Sequence, residues 1–309
     1  MRKTSDKKKN TPSSMVRSVF CVAGEMISGK GEDSYLYAVN GESALIAAFD
    51  GCGGIGSKRY LHYSEKTGAY IASRAVCGGV KNWFDNEPHN DNALPGYIQR
   101  ALKVCEYYAD AESGLRGSLR KSFPTTAAMI RVDNGSATCF WAGDSRCYLL
   151  DAGGLHQLSN DDIDGEDAFS NISGDGVLTN VICSSVPYDI HAKHIPLQTP
   201  CVLLTASDGC FGYLNTPMDF EYLLTSTLMM SNSISEWEYN LDKRIKEFTG
   251  DDYTMCVAVY GYEDFQHLRN SYAARASYVY TQYINSAADD ESKWNAYKDG
   301  YSIYLESNN

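Results

Sequence analysis

Three features of the sequence predict an α+β fold built on antiparallel sheets. Apolar runs of strand length recur along the chain, as in VRSVFCV from Val16, SALIAAF from Ser43, CVLLTA from Cys201 and YTMCVAVY from Tyr253. Helical periodicity gathers in two groups separated by runs of strands, without the regular strand and helix alternation of a doubly wound sheet. A length of 309 residues is enough for one good-sized core that needs no staples.

Taken in order, residues 1–15 are basic and almost free of large apolar side chains, so burial cannot offset the entropy of ordering them. This arm reads first as a solvated tail and second as a docking element for an acidic partner. The folded part begins with the strand at Val16, and a second strand follows Glu32 and Asp33 in GEDSYLYAV. Ser43 to Phe49 is a buried strand running into the glycine turn DGCGG, with Asp50 where the strand leaves the core. Lys58 to Val80 reads as a helix stopped by Gly78 and Gly79. A second helix is set by Leu94, Ile98, Leu102, Cys105 and Ala109, with Pro95 in its first turn, where a missing donor costs little.

Thr125 to Val132 returns to strand and leads to a hairpin whose turn carries Asp144, then to the strand CYLLD and a turn at Gly153 and Gly154. Residues 159–177 are polar, acidic and rich in turn formers, and read as a loop. Past the strand at Val202 and Asp208, Ile234, Trp237, Leu241, Ile245 and Phe248 mark a helix. Ser233 with Glu236 offers it a capping box, and Gly250 ends it before Asp251 and Asp252. A last helical stripe runs through Phe265, Leu268, Tyr272, Ala276, Val279 and Tyr283, and tyrosines continue at Tyr297, Tyr301 and Tyr304. It reads as a helix packed on the outer layer, with a tyrosine-rich partner surface as the second reading. The expected division is a tail over 1–15, one domain over 16–262 and a helical extension over 263–309.

Composition excludes several classes. A net charge of -12 argues against a general nucleic-acid binder, and no apolar run approaches a membrane span or a signal-peptide core. The ten cysteines lie singly, without a CxxC pair, and read as small hydrophobes in a reducing cytosol. A cytoplasmic protein is expected, of unspecified oligomeric state.

The chemistry lies at the strand ends. Glu32, Asp33, Asp50, Asp144, Asp208, Asp251 and Asp252 each begin or end an apolar run, and only six histidines accompany them. Oxygen-only ligands select Mg²⁺ or Mn²⁺ over zinc, and converging carboxylates repel one another unless divalent ions lie among them. The ordered set ED at Glu32, FDGCGG at Phe49, TTA at Thr125, AGDSR at Ala142, SDG at Ser207 and DDYT at Asp251 resembles the metal-dependent serine/threonine protein phosphatases of type 2C, in their bacterial form. The resemblance spans about residues 17 to 260.

It implies a four-layer α/β/β/α sandwich, two antiparallel sheets packed face to face with helices outside. It also implies hydrolysis of phosphoserine and phosphothreonine in proteins by a water bridged by two Mn²⁺ or Mg²⁺ ions, with no covalent phosphoenzyme. By this resemblance Asp50 bridges the ions, Glu32 and the Gly51 carbonyl complete one side, and Asp208 and Asp251 the other. Asp33 orients water, Asp144 with Asp208 holds a weak third ion, and residues 159–177 form a flap that influences substrate choice. Three departures stand out. Ser28 occupies the position of a phosphate-gripping arginine, leaving Lys30 to supply a positive charge without the bidentate fork. Cys52 follows the DG pair as an inert filler or an oxidisable thiol, and Gly212 replaces an acidic ligand, so the third ion should be weak or absent. The competing reading is a pseudophosphatase that binds phosphoproteins without turnover, and a third has the C-terminal helices gate catalysis.

Overall fold

The structure, a computed structural model, describes residues 16–113, 123–133, 135–164, 167–173 and 176–305. The basic tail expected over 1–15 lies outside them. In chain order the elements are β1 (Val16–Gly24), β2 (Ser34–Asn40), β3 (Ser43–Phe49), α1 (Gly53–Gly56), β4 (Arg59–Tyr60), β5 (Lys66–Thr67), α2 (Gly68–Asn86) and α3 (Leu94–Ser113). Then follow β6 (Ala127–Asp133), β7 (Ser136–Ala142), β8 (Arg146–Asp151), β9 (Gly154–Gln157), α4 (Ala168–Ser173), β10 (His191–Pro196) and β11 (Cys201–Ala206). The last are α5 (Pro217–Met229), α6 (Ile234–Phe248), β12 (Tyr253–Tyr260), α7 (Phe265–Val279) and α8 (Asp290–Tyr301).

Two five-stranded sheets carry the fold, ordered β1-β12-β11-β8-β9 and β10-β7-β6-β3-β2, and every pairing within them is antiparallel. Side chains alternate between faces, so a strand buried on both reads as continuous apolar sequence. In β3, Leu45, Ala47 and Phe49 pack under α2 and α3, while Ile46 faces the second sheet. In β12, Met255, Val257 and Val259 face the helices on their side, while Cys256, Ala258 and Tyr260 fill the seam between the sheets. Four layers result: α2 and α3, one sheet, the other sheet, and α5 to α8. Phe20, Trp237, Tyr272, Tyr297 and Tyr301 share one apolar cluster, so residues beyond 262 join the core of this second face.

Several local expectations are corrected. Lys58 to Thr67 is not α-helical: β4 and β5 pair there around a 3-10 turn at Leu61–Tyr63, and the α-helix starts at Gly68, capped by the Thr67 hydroxyl. Gly78 and Gly79 do not stop it. A Cβ at Gly79 would lie 3.1 Å from the Tyr97 carbonyl oxygen, so this glycine instead lets α2 and α3 approach closely. Ser233 caps α6 through the Glu236 amide, but Glu236 turns to the Asn232 amide, and the complete capping box is Thr216 with Asp219 on α5. The acidic loop after Ser159 contains the short helix α4. Finally, Cys21 and Cys256, opposite each other on β1 and β12 and 235 residues apart, form a disulfide. Among the described residues no helix is long and apolar enough to cross a membrane.

Candidate metal centre

Strand ends at one edge of the sandwich bring the acidic residues together. Asp50 leaves β3 on the face shared with Ile46, which looks into the seam between the sheets. Its carbonyl is fixed by the Thr125 hydroxyl (2.6 Å) and the Thr126 amide (2.8 Å), which gives the Thr125 motif its local function. Gly51 bridges to Thr125, and a Cβ there would lie 2.6 Å from the Ala69 carbonyl oxygen, so the turn admits no side chain.

Asp33 precedes β2, and the Ser207 hydroxyl donates to its Oδ2 at 2.7 Å. The same Ser207 oxygen accepts from the Thr254 amide at 2.8 Å, tying the start of β12 to the end of β11. Asp208 follows directly. The backbone crossing is tight: a Cβ on Gly209 would fall 1.9 Å from the Asp252 carbonyl oxygen. Glu32 accepts from the Thr67 hydroxyl, and its own amide donates to Asp252 Oδ2 at 2.7 Å.

The electrostatics are those of one crowded group. Burial, then neighbouring Asp33 and Asp208, push the Asp50 carboxyl well above the carboxylate range. Burial and the charges of Asp208 and Asp252 outweigh the Ser207 hydrogen bond and push Asp33 up to about 7. Burial with Asp208 and Asp161 does the same to Asp144, also to about 7. Glu32 and Asp251 rise as well, first through burial, with Asp252 adding to Glu32 and Asp208 to Asp251. Each of Asp33, Asp50, Asp144 and Asp208 is half-buried, enclosed by protein on most sides and open on one. Asp208 Oδ1 is buried without a hydrogen-bond partner.

An oxygen-only donor set, mutually raised carboxyls and an orphaned carboxylate oxygen fit a hard divalent cation. Among the described residues no three His, Cys, Asp or Glu side chains are drawn tightly enough to hold an ion by themselves. A cation here would therefore rest on one or two carboxylates and keep much of its water, as Mg²⁺ commonly does.

Beside the carboxylates opens a cavity of about 390 Å³, lined among others by Asp144, Asp208, Asp161, Asn171, Ile172 and Tyr213. Arg146 grips Asp161 with both ends of its guanidinium, at 2.9 and 2.6 Å, and both side chains are buried. The absence of a side chain at Gly212 leaves room over the Asp208 carbonyl, 3.0 Å from where a Cβ would be.

Glu32, Asp33, Asp50, Asp208 and Asp251 thus form one neighbourhood, with Asp144 on its cavity side. Lys30 lies apart, exposed in the turn closed by its amide on the Ile27 carbonyl. Cys52 is half-buried, and burial, followed by Asp144 and Asp208, pushes its thiol far up, so the inert reading suits it better than the oxidisable one. Two residues have supporting roles that the sequence did not assign. Asp252 accepts the amides of Met26 (2.8 Å) and Glu32, and Arg74 donates to the carbonyls of Gly31 and Glu32, both at 3.1 Å. Asp252 was visible as the second of two aspartates, whereas Arg74 gave no local signal on its helix.

Comparison with known proteins places these features in context. The family model described as protein phosphatase 2C matches residues 29–248. No curated protein sequence matches the chain. Among solved structures, the serine/threonine phosphatase PstP of Mycobacterium tuberculosis is 20% identical with a TM-score of 0.59, covering 79% of this chain and 99% of its own. Stp1 of Staphylococcus aureus is 19% identical with a TM-score of 0.61, over 80% of this chain and 95% of its own. The catalytic domain of PstP in complex with two manganese ions is 18% identical with a TM-score of 0.53, over 78% of this chain and 97% of its own.

Proposed function

The chain belongs to the protein phosphatase 2C family, a family of serine/threonine protein phosphatases, and on that premise we propose that it hydrolyses phosphoserine and phosphothreonine in proteins using two divalent cations. The observation that carries the reading is the buried, unpartnered Asp208 Oδ1 set among carboxyls that burial and then their acidic neighbours push up. The two manganese ions named for the PstP complex support the count and favour Mn²⁺ or Mg²⁺. Glu32, Asp50 and the Gly51 carbonyl would hold one ion and Asp50 with Asp208 the other, Asp251 serving the second through its retained water, and Asp144 at most a weak third.

When bound, the cations would supply Lewis acidity that withdraws charge from the phosphoryl oxygens and makes the attacking water more acidic. The chain's own residues do the positioning. Thr125 and Thr126 fix the backbone at Asp50, and Ser207 holds the Asp33 carboxylate through its Oδ2. Asp252 and Arg74 hold the Glu32 backbone from opposite sides, so the turn bearing Glu32 is braced before any ligand arrives. Lys30, exposed outside this neighbourhood, would at most attract the incoming phosphate as a distant point charge. Substrates would be phosphoproteins made by a serine/threonine kinase, met in the cytoplasm.

The test is hydrolysis of a phosphothreonine peptide with and without Mn²⁺, beside Asp50→Asn and Asp208→Asn. Metal-dependent turnover reduced by about a hundredfold or more in both variants is the expected result, given the loss typical of removing one preorganised charge-stabilising group. Ser28, in the place of an arginine, favours a second reading, a phosphoprotein-binding module without turnover. A wild type that binds Mn²⁺ and the peptide yet releases no phosphate would select it.

A further inference from the structure

The family match ends at residue 248, yet α8 reaches back to the wall of the catalytic cavity. On α8, Trp294, Tyr297 and Tyr301 turn inward at helical spacing and are buried. The Trp294 indole nitrogen donates to Asp167 Oδ2 at 2.7 Å, and its ring stacks on Phe169 with centroids 6.1 Å apart. The other oxygen of Asp167 accepts from the amides of Phe169 (3.1 Å) and Ser170 (3.0 Å), so one carboxylate both starts α4 and ties it to α8. From the opposite side of α4, Asn171 donates to Asp161 Oδ2 at 3.0 Å, and Ile172 lines the cavity with Asp144 and Asp208.

A second connection ends at the same residue. Tyr301 lies against Tyr148 at 6.4 Å, the Tyr148 hydroxyl accepts from Arg146 Nη1 at 3.4 Å, and Arg146 holds Asp161. We infer that Trp294 is a positioning residue: α8 fixes α4 as the cavity wall along which a phosphopeptide must lie, and so sets affinity for peptide substrates while leaving the cleavage of small phosphate esters alone. The inference rests on the phosphatase reading above and concerns how that site chooses its substrate. A small aryl phosphate needs only the carboxylate neighbourhood and the cations. A peptide on either side of the phosphoresidue needs the wall as well.

The experiment compares wild type, Trp294→Phe and Asp167→Asn. Phenylalanine keeps a ring on Phe169 and removes the donor, and Asp167 is exposed, so its variant spares the core. With Mn²⁺ present, KM for a phosphothreonine peptide should rise about tenfold in each, the loss expected for a hydrogen bond to a charged group, while kcat and KM for para-nitrophenyl phosphate stay at the wild-type values. Amide exchange across residues 167–173 should quicken by a similar factor in both, and the double variant should go no further than either single one. An unchanged peptide KM, or an equal loss on both substrates, overturns the inference. If the wild type cleaves neither substrate, the phosphatase reading has failed, and the exchange rates alone decide the positioning: unchanged rates at 167–173 reject it, and faster rates uphold the tie between α8 and α4.

Discussion

Two groups of enclosed carboxylates in this molecule are treated in opposite ways. Glu221 on α5 is completely buried, and Arg275 meets its two oxygens at 2.6 and 2.9 Å while the Tyr297 hydroxyl donates at 2.5 Å. Asp208, across the same sheet, has a buried oxygen without a partner and acidic neighbours at Asp33, Asp50 and Asp144. In the first place the chain supplies its own counter-charge and the carboxylate serves the fold. In the second it supplies more negative charge, the arrangement that the proposed cation site requires.

The comparison breaks most visibly if Glu221 is neutralised. Glu221→Leu leaves the Arg275 guanidinium without its partner in a mostly buried setting and should cost about 3–5 kcal/mol in denaturant unfolding. An effect below about 1 kcal/mol would mean that solvent reaches Arg275 and that the two regions differ less than their burial suggests. The opposite sign is expected at the other carboxylate. In chelator-treated protein Asp208→Asn should raise stability by about 1 kcal/mol through relief of like-charge crowding, in line with the stability that functional sites give up. Mn²⁺ at about a hundred times its Kd should then stabilise the wild type by about 2.7 kcal/mol and the variant by less, measured as a shift in Tm.

A finer probe is pH on the Glu221 side. His156 on β9 donates from Nδ1 to the Gly300 carbonyl (2.6 Å) at the end of α8, and its Nε2, when protonated, donates to Asp151 Oδ1 (3.1 Å). Burial alone would lower its pKa, but the Asp151 hydrogen bond, the Gly300 carbonyl, and the charges of Asp151 and Glu221 raise it above 6.5. Its contribution is therefore fully present below 6.5 and is lost as pH rises through the higher folded value. Melting of the wild type should fall across that interval more than melting of His156→Gln, and parallel curves would remove the contact from the account. The smallest effect is expected at Cys52. With its thiol pushed far up, Cys52→Ser should keep turnover within about twofold and lose activity to peroxide at the wild-type rate.

What could be read from sequence follows the same division. Carboxylates at strand ends announce themselves, because an apolar run ending in aspartate and glycine is a local pattern, and the buried strands and the helix at Ile234 followed from such patterns, while the four-layer sandwich came from the family resemblance. Arg275 with Glu221, Cys21 with Cys256 and Trp294 with Asp167 gave no sign, since each partner lies far along the chain and neither half is unusual alone. Gly79 misled for a related reason: as a helix breaker it is a local symbol, whereas here its meaning is the neighbouring helix. The hairpin at Arg59 lacked the alternation that marks longer strands, and α4 was concealed in a segment whose composition is that of a loop.

The bond between the Glu32 amide and Asp252 spans 220 residues of sequence. A junction of that span can close only once both sheets are assembled, so it belongs among the last and slowest events of folding. The acidic neighbourhood therefore has no precursor in any fragment of the chain. On the proposed reading, Mn²⁺ uptake by a refolding population would count finished molecules only.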